Sequence, residues 1–110
     1  MSAIVTVYAT FPTEEEARTV ARTLVEERLA ACANILGATC SIYRWEGAVE
    51  EASEIAAIFK TAETRAGPLM ARLGALHSYE VPAITVWPIA EAFPPYTDWV
   101  LAETSAEEAG

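Results

Sequence analysis

The period of the apolar positions changes several times along the chain, and each change marks an element. Residues 3–10 form an apolar run rich in β-branched side chains that stops at Phe11-Pro12, which predicts a buried strand. Thr13-Glu14-Glu15-Glu16 follows with the spacing of a capping box. In that motif the Thr13 hydroxyl serves the third helical amide and the Glu16 carboxylate reaches back to the cap amide. Ala17, Val20, Ala21, Leu24 and Val25 then recur at helical spacing, while Glu15, Arg18, Arg22 and Glu26 take the other faces.

From Ala31 the helical period is lost. Residues 34–45 and 48–61 predict two long strands joined at Glu46-Gly47, a hairpin. Gly37 in the first arm marks a bend or bulge, because glycine inside a strand permits a local departure of the backbone. Ile55-Ala56-Ala57-Ile58-Phe59 in the second arm shows no alternation, so both faces of that strand are expected to be covered. Residues 68–76 predict a second helix, with Leu69, Leu73 and Leu76 on one face, Pro68 in its first turn and Pro82 forbidding long extension. Residues 83–89 supply a fourth strand, in which Pro88 belongs at an edge or at the strand end because it cannot donate to a ladder. Pro94-Pro95 opens a short last helix carrying Tyr96, Trp99 and Val100 on one side.

The order strand, helix, strand, strand, helix, strand is that of an α+β, ferredoxin-like split β-α-β domain (βαββαβ), with a long central hairpin and an extra C-terminal helix. A single domain over residues 1–104 followed by a flexible polar tail over 105–110 is the expected organisation.

Composition changes this picture in two ways. Seven basic against sixteen acidic residues in 110 give a formal charge of -9, which repels phosphate backbones and anionic lipid surfaces and argues against nucleic acid and membranes as partners. The hydrophobic fraction of 53% hints at a buried interface beyond one small core. Residues 1–8 have no basic segment and too short an apolar run for a signal core or a membrane span, so a reducing cytoplasm is the expected compartment. Cys32 and Cys40 lie eight positions apart in one extended segment, at roughly 3.3 Å per residue, and cannot pair with each other.

Catalytic signatures are missing: the chain has no glycine-rich phosphate loop, no nucleophile elbow and no close Cys or His cluster with metal spacing. A non-enzymatic role is therefore expected. The single histidine, His77, sits at the end of the second helix and reads either as a structural cap or as a ligand for a cation such as copper. Cys32 reads as a small buried thiol or as a residue with a redox or copper-binding role. Tyr43-Arg44-Trp45-Glu46-Gly47 places two large aromatics beside a turn that would normally face water, where they either cap their own core or insert against another copy of the chain. Glu50, Glu51 and Glu54 with Lys60 form either a solvated strand face or, if a carboxylate and the lysine meet in a cleft between subunits, a site for a small polar ligand or cation.

Several separated motifs, in order, resemble the divalent-cation tolerance protein family CutA. They are Leu29-Ala30-Ala31-Cys32-Ala33-Asn34-Ile35, Ser41-Ile42-Tyr43-Arg44-Trp45-Glu46-Gly47, Glu54, Lys60-Thr61, His77-Ser78-Tyr79-Glu80-Val81-Pro82, and Tyr96 with Trp99. The resemblance implies a homotrimer assembled through the long hairpin, related in architecture to trimeric PII signalling proteins, and a link to tolerance of copper or other divalent cations. It implies His77 and Cys32 as metal ligands, and Tyr43, Trp45, Glu54, Lys60 and Tyr96 as the lining of a cleft between subunits. Its alternative implication is a PII-like signalling module that takes a small organic ligand in that cleft. The chain has Pro82-Ala83-Ile84 where the family usually has Pro-Glu-Ile, and it lacks the family's glycine before the last tyrosine, within Ala90-Glu91-Ala92-Phe93-Pro94.

Overall fold

A computed structural model describes residues 2–105. The elements run β1 (Ile4–Phe11), α1 (Glu14–Glu26), β2 (Cys32–Trp45), β3 (Ala48–Ala62), a single 3-10 turn (Glu63–Arg65), α2 (Ala66–Leu76), β4 (Ile84–Pro88) and α3 (Pro94–Glu103). One antiparallel sheet holds all four strands in the order β2-β3-β1-β4, the ferredoxin-like arrangement with an added helix. Pro88 is the last residue of an edge strand, where its missing N–H breaks no ladder. The tail expected over 105–110 lies, from residue 106 on, outside the described residues.

The core is a helix-on-sheet layer. Val7, Ala9 and Phe11 of β1 and Ala57 and Phe59 of β3 meet Val20 and Leu24 of α1 and Leu69 and Leu73 of α2, all buried. Successive strand residues point to opposite faces, so this set fixes which face the helices cover. The other face carries Thr6, Tyr8 and Thr10 opposite Lys60, Ile58 and Ala56, and Tyr8 stacks on Trp87 at a centroid distance of 4.9 Å. Of the helices among the described residues, α3 alone reaches this face: its Val100 is buried against Ile4 and Ala31, with Tyr96, Ile89 and Ala92 packed around them. The non-alternating stretch Ile55–Phe59 thus has helices on one side and, on the other, neighbouring strand side chains that bury Ala56 and leave Ile58 half-buried.

The ends of the elements follow from local chemistry, with one exception. Thr13 caps α1 by accepting the Glu16 N–H at 3.1 Å. The reciprocal half of the capping box is replaced by a tertiary contact, because the Glu16 carboxylate accepts from the Ser78 N–H at 2.9 Å, beyond the end of α2. The hairpin turns on two residues with positive φ, Glu46 (49°) and Gly47 (85°), between the paired Trp45 and Ala48. Such a mirror-image turn matches the twist of the flanking strands. Gly37 (φ 109°) sits at the register shift that follows Ile35, a bulge that leaves Leu36 without a partner opposite.

The register also shows that the hairpin is longer than the sheet it belongs to. β1 pairs with β3 only from Ile4↔Ala62 to Phe11↔Ile55, so residues 48–54 pair with β2 alone and form a two-stranded arm. The chain is elongated accordingly, 45 × 29 × 21 Å. On one face of the arm Ile42 and Val49 are 66% and 64% exposed, and on the other Tyr43 and Trp45 are 40% and 49% exposed.

Candidate functional site

Where the arm leaves the body of the domain, the loop after α2 runs alongside the sheet and borders an open cleft of about 480 Å³. Tyr43, Arg44 and Trp45 from β2, Glu50 and Glu54 from β3, Thr10 from β1, and Tyr79, Glu80, Val81 and Ala83 from the loop line it. Strand alternation supplies most of this arrangement. Tyr43 pairs with Glu50 and Thr39 with Glu54, and these residues point to the side of the sheet that the helices do not cover. Pro82, two residues before β4, keeps the loop extended and carries Val81 and Ala83 into the wall.

Glu54 is the buried acid of the cavity, only 8% exposed. One of its oxygens accepts from the Tyr79 hydroxyl at 2.8 Å. Burial first, and this hydrogen bond next, push the Tyr79 phenol up to about 12, with smaller upward pushes from the charges of Glu54, Tyr43 and Glu16. The hydroxyl therefore remains a donor to the carboxylate throughout the neutral range. Lining the space are three carboxylates, Glu50, Glu54 and Glu80, and one guanidinium, Arg44. The cavity is acidic, with aromatic walls.

His77 lies behind this cavity, with no free ring nitrogen. Its Nδ1 accepts the Tyr79 N–H at 3.0 Å, so Nε2 carries the proton and donates to the Thr10 carbonyl at 2.7 Å. The ring is buried and stacks on Phe11 at 4.8 Å. In this arrangement His77 fixes the loop to β1 and so sets the position of Tyr79.

Cys32, the other expected ligand, lies elsewhere. It pairs with Lys60 across β2 and β3, and its Sγ is 3.3 Å from the Tyr96 hydroxyl. Burial, followed by this thiol contact, raises the Tyr96 phenol to about 12. Thr10, which holds His77, stands opposite Ala56, four residues along β3 from Lys60 and therefore roughly 13 Å away at strand rise. The chain thus sorts the seven expected site residues into two groups. Tyr43, Trp45 and Glu54 line one groove along the arm, with His77 behind Glu54; Cys32 touches Tyr96 of α3 and has Lys60 opposite it in the sheet. Within one chain Lys60 and Glu54 do not share a cleft. Among the described residues no group of three His, Cys, Asp or Glu is gathered to hold a metal ion. Cys32 and Cys40 are both free thiols.

The sequence reading missed Tyr79 as a site residue, as well as the placing of Glu50 and Glu80 around one space. A tyrosine three residues before a proline in a loop gives no periodic signal, and only the loop's path over the sheet puts it against Glu54. The position at which the chain departs from the Pro-Glu-Ile pattern, Ala83, proves to be part of the cavity wall.

Fold and cavity together define a ferredoxin-like α+β domain with a projecting strand pair and an acidic, aromatic-walled cleft at its base. The comparisons with known proteins agree along nearly the whole chain. Residues 5–103 match the family model described as CutA1 divalent ion tolerance protein. A divalent-cation tolerance protein CutA of Thermus thermophilus is 49% identical over 98 residues, 89% of this chain and 95% of that one. The mouse Protein CutA is 39% identical over 93 residues, which span 84% of this chain but 52% of the mouse protein. The crystal structure of CutA from Xylella fastidiosa superposes with a TM-score of 0.92 at 34% identity, covering 94% of this chain and all of that one. This chain belongs to the CutA1 divalent ion tolerance family.

Proposed function

We propose that this chain works as a homotrimer in divalent-cation tolerance, without enzymatic chemistry, and that the cations are held at the base of the hairpin arm. The observation that carries the assembly is the arm itself. Ile42 and Val49 are neighbours on one face of a strand pair that no helix among the described residues covers, and both are about two-thirds exposed. Burying side chains of this size stabilises by roughly 1.5–3 kcal/mol each, so a second copy laid on the arm is favoured. The open sheet face with Tyr8 and Trp87 offers further apolar area to the same neighbours. A family named for divalent-cation tolerance, together with a chain charge of -9, supports the cation reading.

The donors we assign to a divalent cation are the cleft carboxylates Glu50 and Glu80, which among the described residues are not part of any three-ligand cluster within one chain, so ligands from a neighbouring copy or water would complete the site. His77 and Cys32 each already have a partner in their own chain, so recruiting them as ligands would cost those hydrogen bonds and would require a neighbouring copy to bring them together. The two free thiols suit a reducing cytoplasm, which we take as the working compartment. Calorimetric titration of tag-free protein with copper and magnesium tests the cation reading. Binding that weakens in the double substitution Glu50→Gln, Glu80→Gln and persists in Cys32→Ser supports it. Absence of binding, or binding that survives Glu50→Gln, Glu80→Gln and is lost in Cys32→Ser, overturns it.

A further inference from the structure

We infer that His77 is a pH-sensitive latch on the loop that borders the cleft: when its Nδ1 gains a proton, the ring exchanges the Tyr79 N–H for the Glu16 carboxylate and the loop is released. In the neutral ring Nε2 donates to the Thr10 carbonyl at 2.7 Å and Nδ1 accepts the Tyr79 N–H at 3.0 Å. A further proton therefore has one place to go, Nδ1, and there it turns an acceptor into a donor that faces the Tyr79 N–H. Two donors cannot share a hydrogen bond, so that contact is lost. Another acceptor is already in place. Glu16 Oε2 lies 3.6 Å from Nδ1, close enough to receive an imidazolium after a small turn of the ring. His77 is the only histidine in the chain, and imidazole is the side chain that ordinarily titrates between roughly pH 5 and 8.

The charged and titratable groups around the ring come from several elements. α1 supplies Glu16, and the loop supplies Tyr79, whose ring is tilted against the imidazole at a centroid distance of 4.9 Å. β3 supplies Glu54, one hydrogen bond further on through the Tyr79 hydroxyl, and Glu80 of the loop lines the cleft. β1 adds the stacked Phe11 ring and no charge, while Arg72 of α2 is paired with Glu27. The Tyr79 phenol, pushed up to about 12, stays neutral over the whole range. An imidazolium formed here thus meets a carboxylate and two aromatic faces, all favourable to a cation. The effect on the cleft follows from connectivity. Tyr79 is held to His77 by its amide and to Glu54 by its hydroxyl, so losing the first anchor loosens the residue that occupies the Glu54 carboxylate. Neither His77, Glu16 nor Tyr79 belongs to the arm, so the latch is complete within one chain whatever covers the arm.

The test uses the full chain in its native assembly without added cations, so its outcome is independent of the divalent-cation reading. Nitrogen-15 NMR of the single imidazole is followed from about pH 8 to about pH 5, together with the hydrogen-exchange protection of the Tyr79 amide. The inference expects a ring protonated on Nε2 alone at the upper end and on both nitrogens at the lower. Tyr79 amide protection should fall by about tenfold along the same curve, the scale of one hydrogen bond. His77→Gln, which has no titrating ring, should show no such fall over this range. Glu16→Gln, which keeps an oxygen for the Ser78 N–H but carries no charge, should show a smaller one. Glu16 lies near the surface, so this second variant reports even where His77→Gln fails to fold. A ring that stays neutral throughout in the folded protein, Tyr79 protection that does not follow the ring's titration, or a fall as large as the parent's in either variant overturns the inference.

Discussion

The Tyr79 hydroxyl donates to the Glu54 carboxylate across 2.8 Å, tying the loop after α2 to β3 at the level where the arm leaves the sheet. The phenol stands near 12, whereas a free tyrosine titrates near 10. The protonated form is the one the fold favours, so this contribution to stability is complete below about pH 10 and is lost as pH rises through about 12. Phenolate absorbance followed during an alkaline titration should lose a late component near pH 12 in Tyr79→Phe, and the variant should show a shallower fall of stability between pH 10 and 12. An identical titration curve in the variant would contradict the contact.

His77→Ala should destabilise the fold by about 2–4 kcal/mol, because it leaves the Thr10 carbonyl and the Tyr79 N–H without partners and opens a void beside Phe11. Denaturant unfolding measures the loss. A stability unchanged within error would mean that the ring's contacts matter little to the fold.

The turn of the arm makes a prediction of opposite sign. Glu46 occupies the left-handed region, which an ordinary side chain enters at a cost and asparagine enters readily. Glu46→Asn should raise stability by up to about 1 kcal/mol, and Gly47→Ala, at φ 85°, should lower it by about 1 kcal/mol. Thermal unfolding of the two variants against the parent protein checks both signs.

Phe59→Ala should cost about 3–5 kcal/mol, since this ring is fully buried where β3 meets the helices. Ile58→Ala, one residue away on the half-buried face, should cost clearly less in a dissociated chain. Chemical denaturation at low protein concentration distinguishes the two faces.

How much of this was legible in the sequence depended on the range of the interaction. The Thr13 cap, the Gly37 bulge, the Glu46-Gly47 turn and the edge position of Pro88 are local effects, and local residue chemistry announces them. Glu16 shows where that reach ends. Its spacing to Thr13 fits a capping box, yet its carboxylate serves Ser78, sixty-two residues away. Lys60 and Glu54 show the same limit along one strand. Six residues of extended chain put them roughly 20 Å apart, so within one chain they do not act on one small ligand. Tyr79 carried no pattern at all, and its role follows from the loop that His77 pins to β1.

The central claim is that the arm exists to be covered by other copies of the same chain. Light scattering on the purified protein at micromolar concentration tests it most directly. The account predicts a particle of three chains of 11.9 kDa each, reduced to a single chain when Ile42 and Val49 are both replaced by aspartate. A mass of one 11.9 kDa chain for the unaltered protein would contradict it.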